Sequence, residues 1–264
     1  MHSFAFAPRA LALSAIVLLG FISTSVSADD ADEPQATPYR PTVSNPADLP
    51  APGWLEAEFG GLRVLGQDRS RSDSVPWLVK YAFDADHGLL LGGNAYVSER
   101  APGDMAAHGV GDTTVEWKQR FAVDDKMAFG IEAGVTVPTA HADLGNGKPV
   151  WLVNGIVSRD IGAAHLDVNL GEAHYANHDV GVSAWQQSFA AAVSWPFGPD
   201  FGGAVELSGT HQAGVPTQSQ ALAALNYNLS PRVVFDAGVA RGLSHNAHDR
   251  SVFAGATVLL GRLH

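Results

Sequence analysis

Histidine is the side chain of this sequence best suited to chemistry, because a neutral imidazole is a common ligand of zinc, copper and nickel. Seven of the 11 histidines fall in segments that we assign below to loops at one end of the molecule: His108, His141, His174, His178, His211, His245 and His248. Spacings of four and three residues make His174, His178, His245 and His248 candidate metal ligands. The alternative, which we favour, is that polar loops simply tolerate histidine, because a metal site needs fixed ligands and supporting partners.

Charged side chains form the second group of candidates, because ten of them recur on one side of segments whose other side is apolar. They are seven acids and three bases: Glu56, Glu58, Lys80, Glu116, Lys118, Arg120, Glu132, Asp167, Glu206 and Asp236. Charges that line a narrow passage select ions of the opposite sign, so the excess of acids predicts a weakly cation-preferring lumen. The alternative is that the bases pair with neighbouring acids and brace the interior, because unpaired buried charges are costly.

Catalytic chemistry finds little support in the other residues. The chain has no cysteine, which excludes thiolate nucleophiles, zinc–thiolate sites and disulfides. The glycine pairs Gly60-Gly61 and Gly92-Gly93 lie inside predicted strands with no helix after them, so they do not form a phosphate-binding loop. The sequence therefore predicts no enzyme and no cofactor. Its net charge of -11 also argues against nucleic-acid binding.

The elements that must position these residues are β-strands, because apolar residues alternate with polar or small ones. Over residues 127–137 every odd position is apolar, whereas the even positions hold Ala128, Gly130, Glu132, Gly134 and Thr136. A helix would instead place its apolar residues three and four apart. Charged residues make up only 16% of the chain, which is low for a soluble domain. A transmembrane β-barrel explains both features, since half of each strand faces lipid and half faces a polar lumen.

Turn signals divide the region from Trp54 onward into about twelve strands. We predict strands at 54–65, 73–83, 88–98, 110–122, 127–138, 149–159, 163–172, 183–195, 201–210, 218–228, 232–242 and 250–262. The connections alternate between tight turns, such as 84–86 and 160–162, and longer loops, such as 100–109 and 139–149. Short periplasmic turns and longer outer loops are typical of outer-membrane barrels. The pattern predicts an all-β, antiparallel, up-and-down transmembrane barrel spanning 54–264.

Two N-terminal segments precede the barrel. Residues 1–28 have the basic start, apolar stretch and small-residue cleavage site of a secretory signal peptide. Residues 29–53 hold six prolines and cannot form a helix or a sheet ladder. We interpret them as an extended periplasmic lead-in, with a plug inside the lumen as the alternative. No apolar run after Ala28 approaches the roughly 18 residues of a membrane-spanning helix.

Several short motifs stand out in the sequence. The first is Gly109-Val110-Gly111-Asp112, in which Gly109, Gly111 and Asp112 shape the start of a strand, followed by Val115, Lys118 and Phe121. The others are the strand end Gly134 to Thr139, the loop Leu144-Gly145-Asn146-Gly147, the turn Ser158-Arg159-Asp160-Ile161-Gly162, and the lead-in from Arg40-Pro41 to Gly53-Trp54. Together they resemble one family of outer-membrane proteins, catalogued under the MetA-pathway of phenol degradation.

The resemblance implies a transporter-like barrel, related to the barrel that exports functional-amyloid subunits, in the outer membrane of a Gram-negative bacterium. It supplies no catalytic residues. We therefore expect a channel for small molecules, hydrophobic or aromatic ones if the family name applies to this chain. Expected partners are outer-membrane lipid, the small-molecule substrate and the barrel-assembly machinery, with a homo-oligomer left open. The alternative function is a non-conducting barrel whose His-rich outer loops bind metal or a surface partner.

Overall fold

The structure is a computed structural model that describes residues 33–141, 144–244 and 249–263. The predicted signal peptide, residues 1–28, lies outside the described residues. Over the described ranges, no helix is long and apolar enough to cross a membrane.

The strands of the described residues form one antiparallel sheet that closes on itself. They are β1 (Trp54–Leu65), β2 (Arg71–Ala82), β3 (His87–Arg100), β4 (Ala107–Gly109), β5 (Thr113–Asp124), β6 (Met127–Val137), β7 (Val150–Ile161), β8 (Ala164–Tyr175), β9 (Trp185–Pro196), β10 (Phe201–Gln212), β11 (Gln218–Ser230), β12 (Val233–Gly242) and β13 (Arg250–Arg262). Closure comes from β1 and β13, which pair from Trp54↔Arg262 to Leu65↔Arg250. Both β4 and β5 pair with β3, so they count as one wall strand and the barrel has twelve.

The alternation of apolar and polar residues decides which face of the wall points outward. On β6, Phe129 and Ile131 are 42% and 46% exposed on the outer face, whereas Glu132 on the inner face is only 2% exposed. The same contrast runs around the wall; on β8, Leu170 is 68% exposed whereas Asn169 is 5% exposed. A closed barrel with an apolar outer belt needs lipid around it. The predicted fold class is confirmed, and the protein lies in the outer membrane.

Aromatic side chains mark both ends of the outer belt. At the periplasmic end, the rings of Phe201 and Tyr227 lie 4.9 Å apart across neighbouring strands. At the outer end, Trp151, His174 and Trp185 lie side by side on β7, β8 and β9. Amphipathic rings favour the boundary between lipid and water, so these rows fix the height of the barrel in the membrane.

One predicted strand is interrupted where the sequence analysis expects it to start. Residues 110–112 do not pair as a strand but separate β4 from β5. The N–H of Gly111 donates to the carbonyl of Asn94 (2.6 Å), and the side chain of Asp112 binds an outer loop instead of the neighbouring strand. The break therefore follows from contacts between segments distant in the chain, which a period of two cannot reveal.

The lipid-facing surface leads to a stability prediction. Leu170 lies near the middle of β8, where an arginine costs a barrel about 2–4 kcal/mol. We expect Leu170→Arg to lower the free energy of unfolding from lipid vesicles by about that amount, measured by urea titration. Leu243→Arg is the control, because this leucine is exposed after the end of β12. Equal stability of the two variants would contradict the placement of β8 in lipid.

Candidate functional site

The N-terminal segment of the described chain lies inside the barrel, and we call residues 33–53 the plug segment. Its backbone N–H groups donate to inward-facing side chains of the wall: Thr37 to Glu56 (2.8 Å), Tyr39 to Glu58 (2.7 Å), Val43 and Ser44 to Glu206 (2.8 Å each), Asn45 to Asn169 (2.9 Å) and Ala47 to Ser158 (2.7 Å). These partners belong to β1, β7, β8 and β10, on different sides of the wall. A segment can reach all of them only from within the lumen.

These contacts contradict the interpretation of residues 29–53 as a periplasmic linker and fit the plug alternative for the described part of that segment. The physical reason is backbone satisfaction. Prolines prevent the segment from joining a sheet ladder, so its remaining N–H groups need other acceptors once water is excluded. The carboxylates of the wall supply them.

Lys80 sits at the centre of one charged cluster. Its side chain is fully buried, and its Nζ lies 2.6 Å from Glu56 Oε1 and also binds Glu58. The same ammonium donates to the carbonyl of Thr37 in the plug segment (2.6 Å). The lysine thus pairs with two carboxylates that hold the plug segment's amides, offsets one of their two negative charges, and binds the plug segment directly.

Lys118 repeats this arrangement further around the wall. Its Nζ donates to Glu132 (3.0 Å) and to the carbonyl of Pro46 in the plug segment.

The Tyr39 ring lies between Lys80 and Lys118, whose Nζ atoms are 3.7 Å and 4.1 Å from the ring centroid. The hydroxyl of Tyr39 donates to the carbonyl of Asp48 (2.7 Å), and burial raises the pKa of this hydroxyl well above its ordinary value. Tyr39 therefore remains a neutral donor that fixes the fold of the plug segment.

Arginines supply further ionic contacts between the plug segment and the wall, including a pair between Arg232 Nε and Glu33 Oε1 (2.6 Å). Arg40 donates two hydrogen bonds, both of 2.9 Å, to Asp236. In the opposite direction, Arg120 of the wall donates to Asp48 of the plug segment (2.7 Å). Asp167 of β8 accepts hydrogen bonds from Ser158 and His165. Here the structure brings in Tyr39 and His165, which the sequence analysis did not name, and Arg40 and Ser158, which it named only as parts of family motifs.

Glycines make room for the plug segment at two points. Gly60 and Gly255 face each other across β1 and β13, and a Cβ on either would come within 2.8 Å of the Arg40 guanidinium carbon. A Cβ on Gly130 would lie 3.4 Å from the Cβ of Ala47. The inner wall is thus shaped to the plug segment as well as charged for it.

The ten charged residues selected from the sequence all lie on the enclosed side of the wall, and nine of them are held by ion pairs or hydrogen bonds. The exception is Glu116, whose side chain makes no hydrogen bond to another described residue and faces a cavity. The pairing fits the bracing alternative of the sequence analysis for most of the set.

The family motifs at Gly109–Asp112 and Leu144–Gly147 meet in space. One carboxylate oxygen of Asp112 accepts the N–H of Ala140 (3.0 Å), and the other accepts the N–H of Asn146 (2.8 Å). Gly109 lets the loop approach, since a Cβ there would lie 2.8 Å from the Cβ of His141. Asp112 is therefore an anchor for the loop between β6 and β7. The sequence analysis assigned it only a part in shaping the start of a strand.

The two candidate metal ligands that the structure describes, His174 and His178, have other contacts. His174 packs its ring against Trp185 at 4.6 Å between ring centroids, and His178 Nδ1 lies 3.4 Å from the carbonyl of Asp179. His245 and His248 lie outside the described residues. Within the described ranges, no group of three or more His, Cys, Asp or Glu side chains is placed to hold a metal ion.

The plug segment narrows the lumen without filling it. A cavity of about 620 Å³ remains in the outer half of the barrel. Arg40, Thr42 and Asn45 contribute to its lining from the plug segment, and Val215 and Asp249 do so near the outer loops.

Several solved structures share this fold. The COG4313 outer membrane channel from Pseudomonas putida F1 superimposes with a TM-score of 0.65 at 13% identity, over 81% of this chain and 98% of that one. The NanC porin gives a TM-score of 0.59 at 11% identity, over 77% of this chain and 100% of its own. The β domain of the Bordetella autotransporter BrkA gives 0.52 at 10% identity, over 78% and 99%. At these identities the likeness shows the fold alone.

Comparison with curated proteins finds no match. One family model does match, over residues 40–260, and it is described as "Putative MetA-pathway of phenol degradation". The match covers residues 40–53 of the plug segment, the charged residues of the wall and Asp112. The chain belongs to this family of outer-membrane barrels.

Proposed function

We propose that the protein is an outer-membrane channel that passes small molecules through a narrow, weakly cation-preferring lumen. The observation that carries the proposal is a closed barrel in lipid whose lumen is narrowed by its own N-terminal segment and keeps a cavity of about 620 Å³. The fold is shared with a protein named as an outer membrane channel and with a porin, which supports the same role here.

The preference for cations rests on the balance of enclosed charge. The ten selected wall residues contribute seven acids and three bases, and the plug segment adds Glu33, Asp48 and Arg40, which gives nine acids against four bases. Most of these charges are paired and act at short range. Glu116 is an acid without a hydrogen-bond partner among the described residues, and it faces the cavity. In its ionised form, a carboxyl group in that position attracts cations and repels anions.

Hydrophobic or aromatic substrates are the finer part of the proposal. The family description points to phenol degradation. Leucine and phenylalanine side chains line part of the cavity, where a water-filled channel would have polar ones. Both observations support cargo with an apolar body.

Conductance tests the channel proposal. We expect the mature protein in planar bilayers to give discrete steps, with a reversal potential of the cation-preferring sign in a KCl gradient. Glu116→Gln removes the carboxylate that faces the cavity and should move this potential towards zero. Asp125→Asn, in the exposed turn between β5 and β6, is the matched control and should leave it unchanged. Absence of steps would overturn the channel function, and an anion-preferring potential would overturn the charge argument.

The position of the plug segment can be tested by a disulfide, because the chain has no cysteine of its own. Cβ atoms at positions 47 and 130 would be 3.4 Å apart, close to the distance that a disulfide needs. We expect Ala47→Cys with Gly130→Cys to oxidise in the folded protein, detected by mass spectrometry of peptides. Ala47→Cys with Gly155→Cys is the control, since Gly155 lies exposed on the outer side of β7, and this pair should stay reduced. If the pair at 47 and 155 oxidised while the pair at 47 and 130 stayed reduced, residue 47 would lie outside the lumen.

The Asp112 anchor predicts a local change in loop dynamics. Asp112→Asn keeps one carbonyl oxygen but loses the charge, and hydrogen bonds to a charged group are worth about 1.5–3 kcal/mol each. We expect the amides of Ala140 and Asn146 to exchange with deuterium at least about ten-fold faster, while amides in β10 are unaffected. Unchanged exchange at both positions would show that Asp112 does not hold this loop.

A further inference from the structure

The cavity in the outer half of the lumen has two chemically different walls. Leu222 of β11, Ala240 of β12, Phe253 of β13 and Leu62 of β1 lie on consecutive strands around the closed barrel. Leu222, Ala240 and Phe253 pack together with Leu62 against them. We call this the apolar wall. Its presence departs from the polar interior that is usual for an outer-membrane barrel.

The opposite side, from β7 to β10, carries a group of uncharged polar side chains among apolar residues and Glu172, and we call this group the amide wall. It includes Asn154, Asn169, Gln186, Ser208 and Gln212. Gln186 donates to Gln212 (3.2 Å), and Gln220 of β11 donates to Ser208 (3.3 Å), so the side chains are held in a network. Each carboxamide carries two N–H donors and two acceptor lone pairs, so the network keeps free donors and acceptors that can meet a ligand.

The charges around the cavity argue against an anionic ligand. Arg40 is the sole base among the described residues that line it, and both hydrogen bonds of that guanidinium go to Asp236. Glu116 and Glu132 line the same cavity from β5 and β6. A carboxylate or phosphate group would therefore lose its water shell and meet acids without a free cation in return.

We propose that this cavity is a binding site for an uncharged amphiphile, with an apolar body against the apolar wall and hydroxyl or carbonyl groups against the amide wall. The volume of about 620 Å³ is within the range of about 300–1,000 Å³ found for small-molecule sites. The inference rests on the proposed channel function and deepens it, because it places the step that selects the cargo in the outer half, above the plug segment.

Two compounds that share a naphthalene ring but differ in charge test the proposal. The probes are 2-naphthol, which is uncharged at neutral pH, and 2-naphthoate, which is an anion. Each is titrated calorimetrically into the full mature protein in lipid nanodiscs, with heats from empty nanodiscs subtracted. We expect 2-naphthol to bind and 2-naphthoate to bind at least about ten-fold more weakly. Failure of 2-naphthol to bind, or equal affinity for both probes, overturns the proposal.

Variants of the two walls locate the site. Leu62→Ser places a hydroxyl in the apolar wall, and Gln220→Leu removes an amide that joins the polar network. Each should weaken 2-naphthol binding about ten-fold, whereas Leu243→Ser, at an exposed leucine outside the cavity lining, should leave it unchanged. Unchanged binding in both wall variants overturns the assignment of the site.

The outcomes separate this proposal from the channel function. Binding with the expected variant effects, in a protein that gives no conductance, retains the site and refutes the channel. Conductance steps without binding of 2-naphthol retain the channel and refute the site.

Discussion

Hydrogen bonds between the backbone of the plug segment and the carboxylates of the wall determine the rest of the lumen. A proline-rich segment cannot satisfy its own N–H groups, so the wall must supply acceptors where water is excluded. Glu56, Glu58 and Glu206 do so, and their buried charges in turn require compensation. Lys80 provides it for the first two and also binds a carbonyl of the plug segment. Removing one member of such a buried pair typically costs about 3–5 kcal/mol, because the other is left uncompensated.

The two faces of each strand therefore carry different residues, because one faces lipid and the other faces the plug segment. The outer face needs apolar residues because it meets lipid, and the aromatic rows at its edges set its height in the membrane. The inner face needs charges, amides and glycines because it meets a peptide segment. The low charge of the whole chain is the average of these two requirements. In the proposed function, Glu116 and the two walls of the outer cavity are the described groups that meet cargo.

Periodicity alone predicts the barrel well and the plug segment poorly. The bounds of β1 and β13 are those predicted, and the other wall strands differ by at most three residues at either end. A period of two is a local signal, and closure follows from it once both faces are assigned. The contacts of Asn45 with Glu132 and Asn169, by contrast, join residues far apart in the chain and leave no local pattern. Asp112 is similar, because its partners belong to a loop that follows the next strand.

The central claim is that the plug segment occupies the lumen and limits passage through it. Single-channel conductance of the mature protein, compared with a variant that lacks residues 29–50, tests it most directly. Heat-modifiable migration on gels serves to show that both barrels have closed. The structure predicts distinctly larger conductance steps for the shortened variant. Steps of equal size from two correctly closed barrels would contradict the claim.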